Sequence, residues 1–89
     1  MKLHIISVRD IVADVYGQPI FAPSLGGAIR SFGDAINNQD KTDNLAKHPE
    51  HFEFWLLGEY DDETGTITAY DTGQRKQLAA GANLVITKQ

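Results

Sequence analysis

Lys47-His48-Pro49-Glu50-His51-Phe52-Glu53-Phe54-Trp55-Leu56-Leu57-Gly58-Glu59-Tyr60-Asp61 is the stretch on which the fold turns. A polar, proline-containing corner runs straight into an aromatic strand that is apolar on both faces. Alternate side chains of a strand point to opposite faces, so regular alternation puts Phe54, Leu56 and Tyr60 on one face and Trp55 and Leu57 on the other. An ordinary half-buried hairpin is apolar on one face and polar on the other. This strand needs cover on both. In a chain of 89 residues the second cover is expected from another subunit or a ligand.

Downstream, Asp61-Asp62-Glu63-Thr64-Gly65 reads as a hairpin loop, with Gly65 suited to a left-handed position. Thr66-Ile67-Thr68-Ala69-Tyr70 alternates and returns antiparallel. Asp71 to Gly81 is polar and punctuated by glycine, with Leu78-Ala79-Ala80 a candidate single helical turn, and Leu84-Val85-Ile86 reads as a last short strand. Upstream, Lys2 to Val8 is a first strand that Arg9-Asp10 breaks. Ile11 to Tyr16 is either a helical turn or an extended piece. Gly17-Gln18-Pro19 signals a turn, and Ile20-Phe21-Ala22-Pro23 an edge or extended connection.

One helix stands out. Ser24 is a good N-cap, since its hydroxyl can accept from an orphan backbone N–H, and Leu25, Ala28, Ile29, Phe32 and Ile36 recur at helical spacing to Asn37-Asn38. Gly26, Gly27 and Gly33 weaken it by about 1 kcal/mol each relative to alanine. Three glycines in one helix imply close packing on the sheet. Asn37 to Asn44 is a charged, amide-rich loop. The expected fold class is α+β, one domain over residues 1–89, with a small three- to four-stranded, mainly antiparallel sheet and one main helix packed on one face.

Composition narrows the function. The chain is 42% hydrophobic and 22% charged, as in soluble globular domains. It holds no cysteine, which excludes disulfides and thiolate metal sites. No apolar run reaches the roughly 20 residues that span a bilayer, and the first residues are too short an apolar run for a signal peptide. A cytoplasmic protein without membrane contact is expected. The net charge is −4, from 8 basic and 12 acidic residues. That opposes tight sequence-independent DNA binding driven by phosphate neutralisation. It leaves room for single-strand binding by a few cations and stacked aromatics.

Gly17-Gln18-Pro19-Ile20-Phe21, then Ala28-Ile29-Arg30-Ser31-Phe32-Gly33-Asp34-Ala35-Ile36-Asn37, then His48-Pro49-Glu50 and Leu57-Gly58-Glu59-Tyr60-Asp61, resemble in order the small nonstructural protein of gokushovirus-type microviruses. These are tailless bacteriophages with circular single-stranded DNA. The resemblance covers nearly the whole chain. It departs at His51, where the family commonly has an acidic residue, and at Trp55, an unusually large aromatic. The resemblance implies a DNA-binding or single-strand DNA synthesis protein, acting in the host bacterial cytoplasm at the switch from duplex replication to genome-strand synthesis.

The residues supply candidates for such a role. Arg30 and Asp34, at i,i+4 on the polar side of the helix, form either a phosphate contact with its fork held in place or a surface ion pair of about 0–1 kcal/mol. Trp55 is either an exposed stacking platform or, with Leu57, a homodimer contact. Lys41, Lys47, Arg75 and Lys76 could form a discontinuous basic rim. His48 and His51 would make half a metal site only if carboxylates such as Glu50 and Glu53 joined them. No metal site or cofactor is assigned on that pattern. Glu59, Asp61, Asp62 and Glu63 lack the spacing of a calcium loop. With no glycine-rich phosphate loop, cysteine nucleophile or recognisable Ser/His/Asp context, no enzyme is expected.

The expected function is low-specificity binding of single-stranded DNA through Arg30, Lys41, Trp55, Arg75 and Lys76, by a homodimer. Such binding should weaken steeply as salt rises. The alternative is a protein–protein adaptor that recruits the phage replication initiator or a host replication factor without touching DNA, through an apolar interface indifferent to salt.

Overall fold

β1 (Lys2–Asp10) and β4 (Phe52–Asp61) pair antiparallel along their whole lengths and form the spine of the molecule in a computed structural model that describes residues 1–86. Around them stand β2 (Val15–Tyr16), β3 (Ile20–Ala22), α1 (Leu25–Ile36), α2 (Asn44–Lys47), β5 (Thr66–Ala69) and β6 (Lys76–Ala80). β2 and β3 share the free edge of β1, one at each end, and β6 and β5 likewise share the free edge of β4. All pairs are antiparallel, and at each end the sheet is four strands wide.

The sheet therefore has six strands rather than the expected three or four, and strand outweighs helix, 38% against 30%. β1 does not stop at Arg9-Asp10, because both residues pair, with Glu53 and Phe52. Ile11 to Asp14 is the turn of a hairpin whose return is β2. Asp10 holds that turn through its carboxylate, which accepts from the N–H groups of Val12 and Ala13 at 3.0 Å each. Leu78-Ala79-Ala80 is strand, since Ala79 and Ala80 pair with Phe54 and Glu53. The final strand expected at Leu84-Val85-Ile86 is a 3-10 turn, Gly81–Leu84, followed by irregular chain. Gly65 takes the left-handed conformation foreseen for it, at φ 72°.

α1 forms as its sequence dictates. The Ser24 hydroxyl accepts from the Gly27 N–H at 3.0 Å, and Ala28, Phe32 and Ile36 are buried while Ile29 is only half-buried. These residues pack on Ile6, Ala22, Phe54 and Leu56, with the Phe32 and Phe54 rings stacked at 4.1 Å. The glycines do not all serve close packing. A Cβ on Gly27 would crowd the Ser24 cap, but one on Gly26 or Gly33 would meet nothing within 4 Å. The expected loop leads into α2, which is capped by the Asp43 carboxylate, accepting from the Ala46 N–H at 3.0 Å.

A bulge decides what faces where. Ile5 pairs with Gly58 but Ile6 pairs with Leu56, so Leu57 is an extra residue in β4. Paired residues share a face. Phe54 and Leu56 therefore lie with Val8 and Ile6 beneath α1, whereas Tyr60 lies with Leu3 on the opposite face, beside Trp55. Regular alternation would have placed Tyr60 under the helix. The bulge moves it to the same face as the tryptophan.

Candidate nucleic-acid interface

The face of the sheet away from α1 gathers its side chains from all six strands. β1 contributes Leu3, Ile5, Ser7 and Arg9 to it. Register then brings Phe21 beside Ile5, Tyr16 beside Arg9, Trp55 beside Ser7, Ile67 beside Tyr60, and Gln77 beside Trp55. No helix of the described residues covers it. Four aromatic rings, Tyr16, Phe21, Trp55 and Tyr60, thus share one surface. From Leu3 to Arg9 the face runs about 20 Å at roughly 3.3 Å per residue.

Two groups of side chains divide the face. At the β3–β5 end, Phe21 meets Tyr60 edge to face, with ring centroids 5.4 Å apart, and Phe21 is half exposed, at 50%. Ile67 beside them is exposed. At the β2–β6 end, two guanidinium groups lie over the Tyr16 ring, Arg9 at 5.7 Å and Arg75 at 5.8 Å from its centroid. Trp55 is half-buried, and its indole N–H donates to the Glu53 carboxylate at 3.0 Å. The Ser7 hydroxyl between them is buried and donates to the Gly17 carbonyl at 2.8 Å.

The two arginines differ electrically. Arg9 donates to Asp14 at 2.8 Å and stands 3.6 Å from Glu53. The hydrogen bond to Asp14 pushes its already high pKa further up, against some loss of hydration, and the nearby charges of Asp14 and Glu53 add to the rise. Its charge is matched by carboxylates. Arg75 is in no ion pair among the described residues. Its Nε, like that of Arg9, is buried without a hydrogen-bond partner, and its guanidinium lies over the ring.

The structure brings together two of the five residues expected at the site, Trp55 and Arg75. Lys76 is exposed on β6 but pairs with Leu56 and so lies toward the helix side. Arg30 is exposed on α1, across the molecule from the aromatic face, and no ion pair joins it to Asp34. Lys41 sits in a left-handed conformation, φ 50°, where it lines a recess of about 520 Å³ with Ile36, Asn37 and Pro49. Sequence reasoning passed over Arg9 as a strand breaker. A signal was present: Val8-Arg9-Asp10 and Val15-Tyr16 flank a turn that begins with aspartate, as in a hairpin.

Comparison with known proteins gives this geometry a context. The family model described as Phage ORF5 protein matches residues 3–84. Protein ORF5 of Chlamydia phage 1 is 33% identical over 83 residues, which cover 91% of this chain and 86% of that protein. No solved structure matches the chain. Among the described residues, no helix is long and apolar enough to cross a membrane.

Proposed function

This chain belongs to the phage ORF5 protein family, and from that premise we propose that it binds single-stranded DNA with low sequence specificity on the helix-free face of its sheet. The observation that carries the reading is the set of four rings, Tyr16, Phe21, Trp55 and Tyr60, on one uncovered surface with Arg75 as its unpaired cation. Bases of any sequence have a π-face, so an aromatic sheet surface binds them without reading hydrogen-bond patterns, at about 1–3 kcal/mol per stacked base. A run of about 20 Å accommodates on the order of six nucleotides at the 3.4 Å rise of one duplex strand, and fewer when stretched.

In this reading the protein acts in the bacterial host's cytoplasm and sequesters the displaced strand as genome strands are made. A homodimer would place two such faces on one strand and raise avidity through effective concentration. Neither catalysis nor a cofactor enters. Arg30 and Lys41 lie outside this surface and serve as comparison positions. The exposed Phe21 and Ile67 favour a second reading, in which this apolar end docks a phage or host replication protein.

The test is fluorescence anisotropy of a labelled, mixed-sequence oligonucleotide of about 25 nucleotides, beside a duplex of the same sequence. Saturable binding that prefers the single strand and weakens on Trp55→Leu and Tyr16→Leu, but not on Arg30→Ala, supports the reading. A flat titration, or equal binding to the duplex, overturns it.

A further inference from the structure

The corner before β4 holds a second arrangement, independent of the aromatic face. His48, Glu50 and His51 offer one donor atom each, all within 4.8 Å of one another. The Glu50 carboxylate oxygen Oε1 stands 3.7 Å from His48 Nδ1 and 3.6 Å from His51 Nε2. The two imidazole rings are stacked, with centroids 4.8 Å apart and planes 17° from parallel. At these distances no hydrogen bond joins the carboxylate to either ring. Three good ligand atoms thus lie close together without bonding one another.

We propose that His48, Glu50 and His51 bind a divalent transition-metal ion, zinc first among them. Two imidazoles and one carboxylate are a donor set that zinc takes in sites with an open fourth position. Bonds of 2.0–2.1 Å at tetrahedral angles place ligand atoms about 3.4 Å apart, so the two N–O separations need to close by about 0.3 Å, and the stacked rings must turn to bring their nitrogens, within 4.8 Å of one another, onto one ion. The side chains are 51%, 60% and 39% exposed for His48, Glu50 and His51, which leaves the fourth position to water. One carboxylate and two neutral imidazoles leave the bound ion a net charge of +1 in an otherwise acidic protein. Nitrogen and oxygen donors without thiolate favour zinc, nickel and copper over calcium or magnesium.

The backbone holds the donors in place. Pro49 opens the 3-10 turn Pro49–His51, and the His51 N–H donates to the His48 carbonyl at 3.0 Å. The His48 N–H, capping the end of α2, donates to the Asn44 carbonyl at 2.8 Å, and the His51 carbonyl accepts from the Ile11 N–H at 2.9 Å. Gly81 packs on the Pro49 carbonyl so closely that a Cβ there would collide with it. A turn pinned from three directions loses little freedom when a metal closes on its side chains.

Cobalt(II) provides the probe, because its visible absorption reports ligand number, and zinc is then measured by competition. Untagged protein is titrated as wild type, as His48→Gln, Glu50→Gln and His51→Gln, and as His4→Gln, which removes the one histidine outside the turn. The expected result is one ion per chain, affinity at least tenfold weaker in each of the three turn variants, and no change in His4→Gln. Zinc should also shift the ring resonances of His48 and His51 in the wild-type NMR spectrum and leave those of His4 in place. No saturable binding at millimolar metal overturns the proposal. So does binding that survives any two of the three turn substitutions, or ring shifts that spare His48 and His51.

Discussion

The two arginines over Tyr16 make the salt dependence of DNA binding a sharp test. For single strands, the slope of log affinity against log salt is about −0.7 for each phosphate neutralised. Arg9 already faces Asp14 at 2.8 Å and Glu53 at 3.6 Å, so it brings little net charge to a phosphate. Arg75 is unpaired among the described residues and is the single effective cation of the face. The expected slope is about −0.7, a loss of only about threefold between 50 and 200 mM salt. This is far shallower than the steep dependence expected from the sequence, and it follows from where the carboxylates stand. Most of the affinity must then come from stacking. Trp55→Leu should cost about 1–3 kcal/mol, or roughly 5- to 150-fold in affinity, at every salt concentration.

The assay is the anisotropy titration repeated at four or more salt concentrations for wild type, Arg75→Gln and Trp55→Leu. Arg75→Gln should flatten the slope towards zero, whereas Trp55→Leu should displace the line without changing its slope. A wild-type slope steeper than about −2 would refute the reasoning, since it demands about three cations that this face does not have. The strand would then have to run over Arg30, Lys41 or Lys76 instead.

Three further outcomes follow from the fold. Gly26→Ala and Gly33→Ala should each stabilise the protein by about 0.5–1 kcal/mol, because the added Cβ meets open space, and thermal melting should rise by several degrees per substitution. Gly58→Ala should cost about 1–3 kcal/mol on the same assay, since its Cβ would collide with the Thr68 carbonyl of the paired strand. The Met1 amine is bound by Asp62 at 2.8 Å, and that hydrogen bond raises its pKa above the ordinary 8.0. A raised folded-state pKa stabilises fully below about pH 8 and fades as pH rises through the folded value. The melting advantage of wild type over Asp62→Asn should therefore shrink as pH rises above about 8.

What the sequence made legible was whatever a local window contains. The cap at Ser24, the stripe through Phe32 and Ile36, the glycine turn at Gly65 and the long aromatic strand all rest on neighbours a few residues apart. β2 and β6 did not show, because a strand of two residues has no periodicity and Leu78-Ala79-Ala80 fits a helical turn as well as a strand. The bulge at Leu57 was the costliest omission. One extra residue reverses the face of everything beyond it, and Gly58, a glycine inside a strand, was the cue.

Binding residues were harder to find than elements, for a related reason. Counting cations along the chain favours Arg30, Lys41, Arg75 and Lys76 equally, but only the folded structure shows that, of these four, Arg75 alone reaches the aromatic face. The β1–β4 register sets Arg9 against Glu53 and so removes its charge from the count. This has a consequence for selectivity. A duplex offers more phosphate than a single strand but keeps its base faces stacked inside. A surface with four rings and one unpaired cation gains little from phosphate and much from exposed bases. Its preference for single strands therefore arises from what it cannot neutralise as much as from what it can stack.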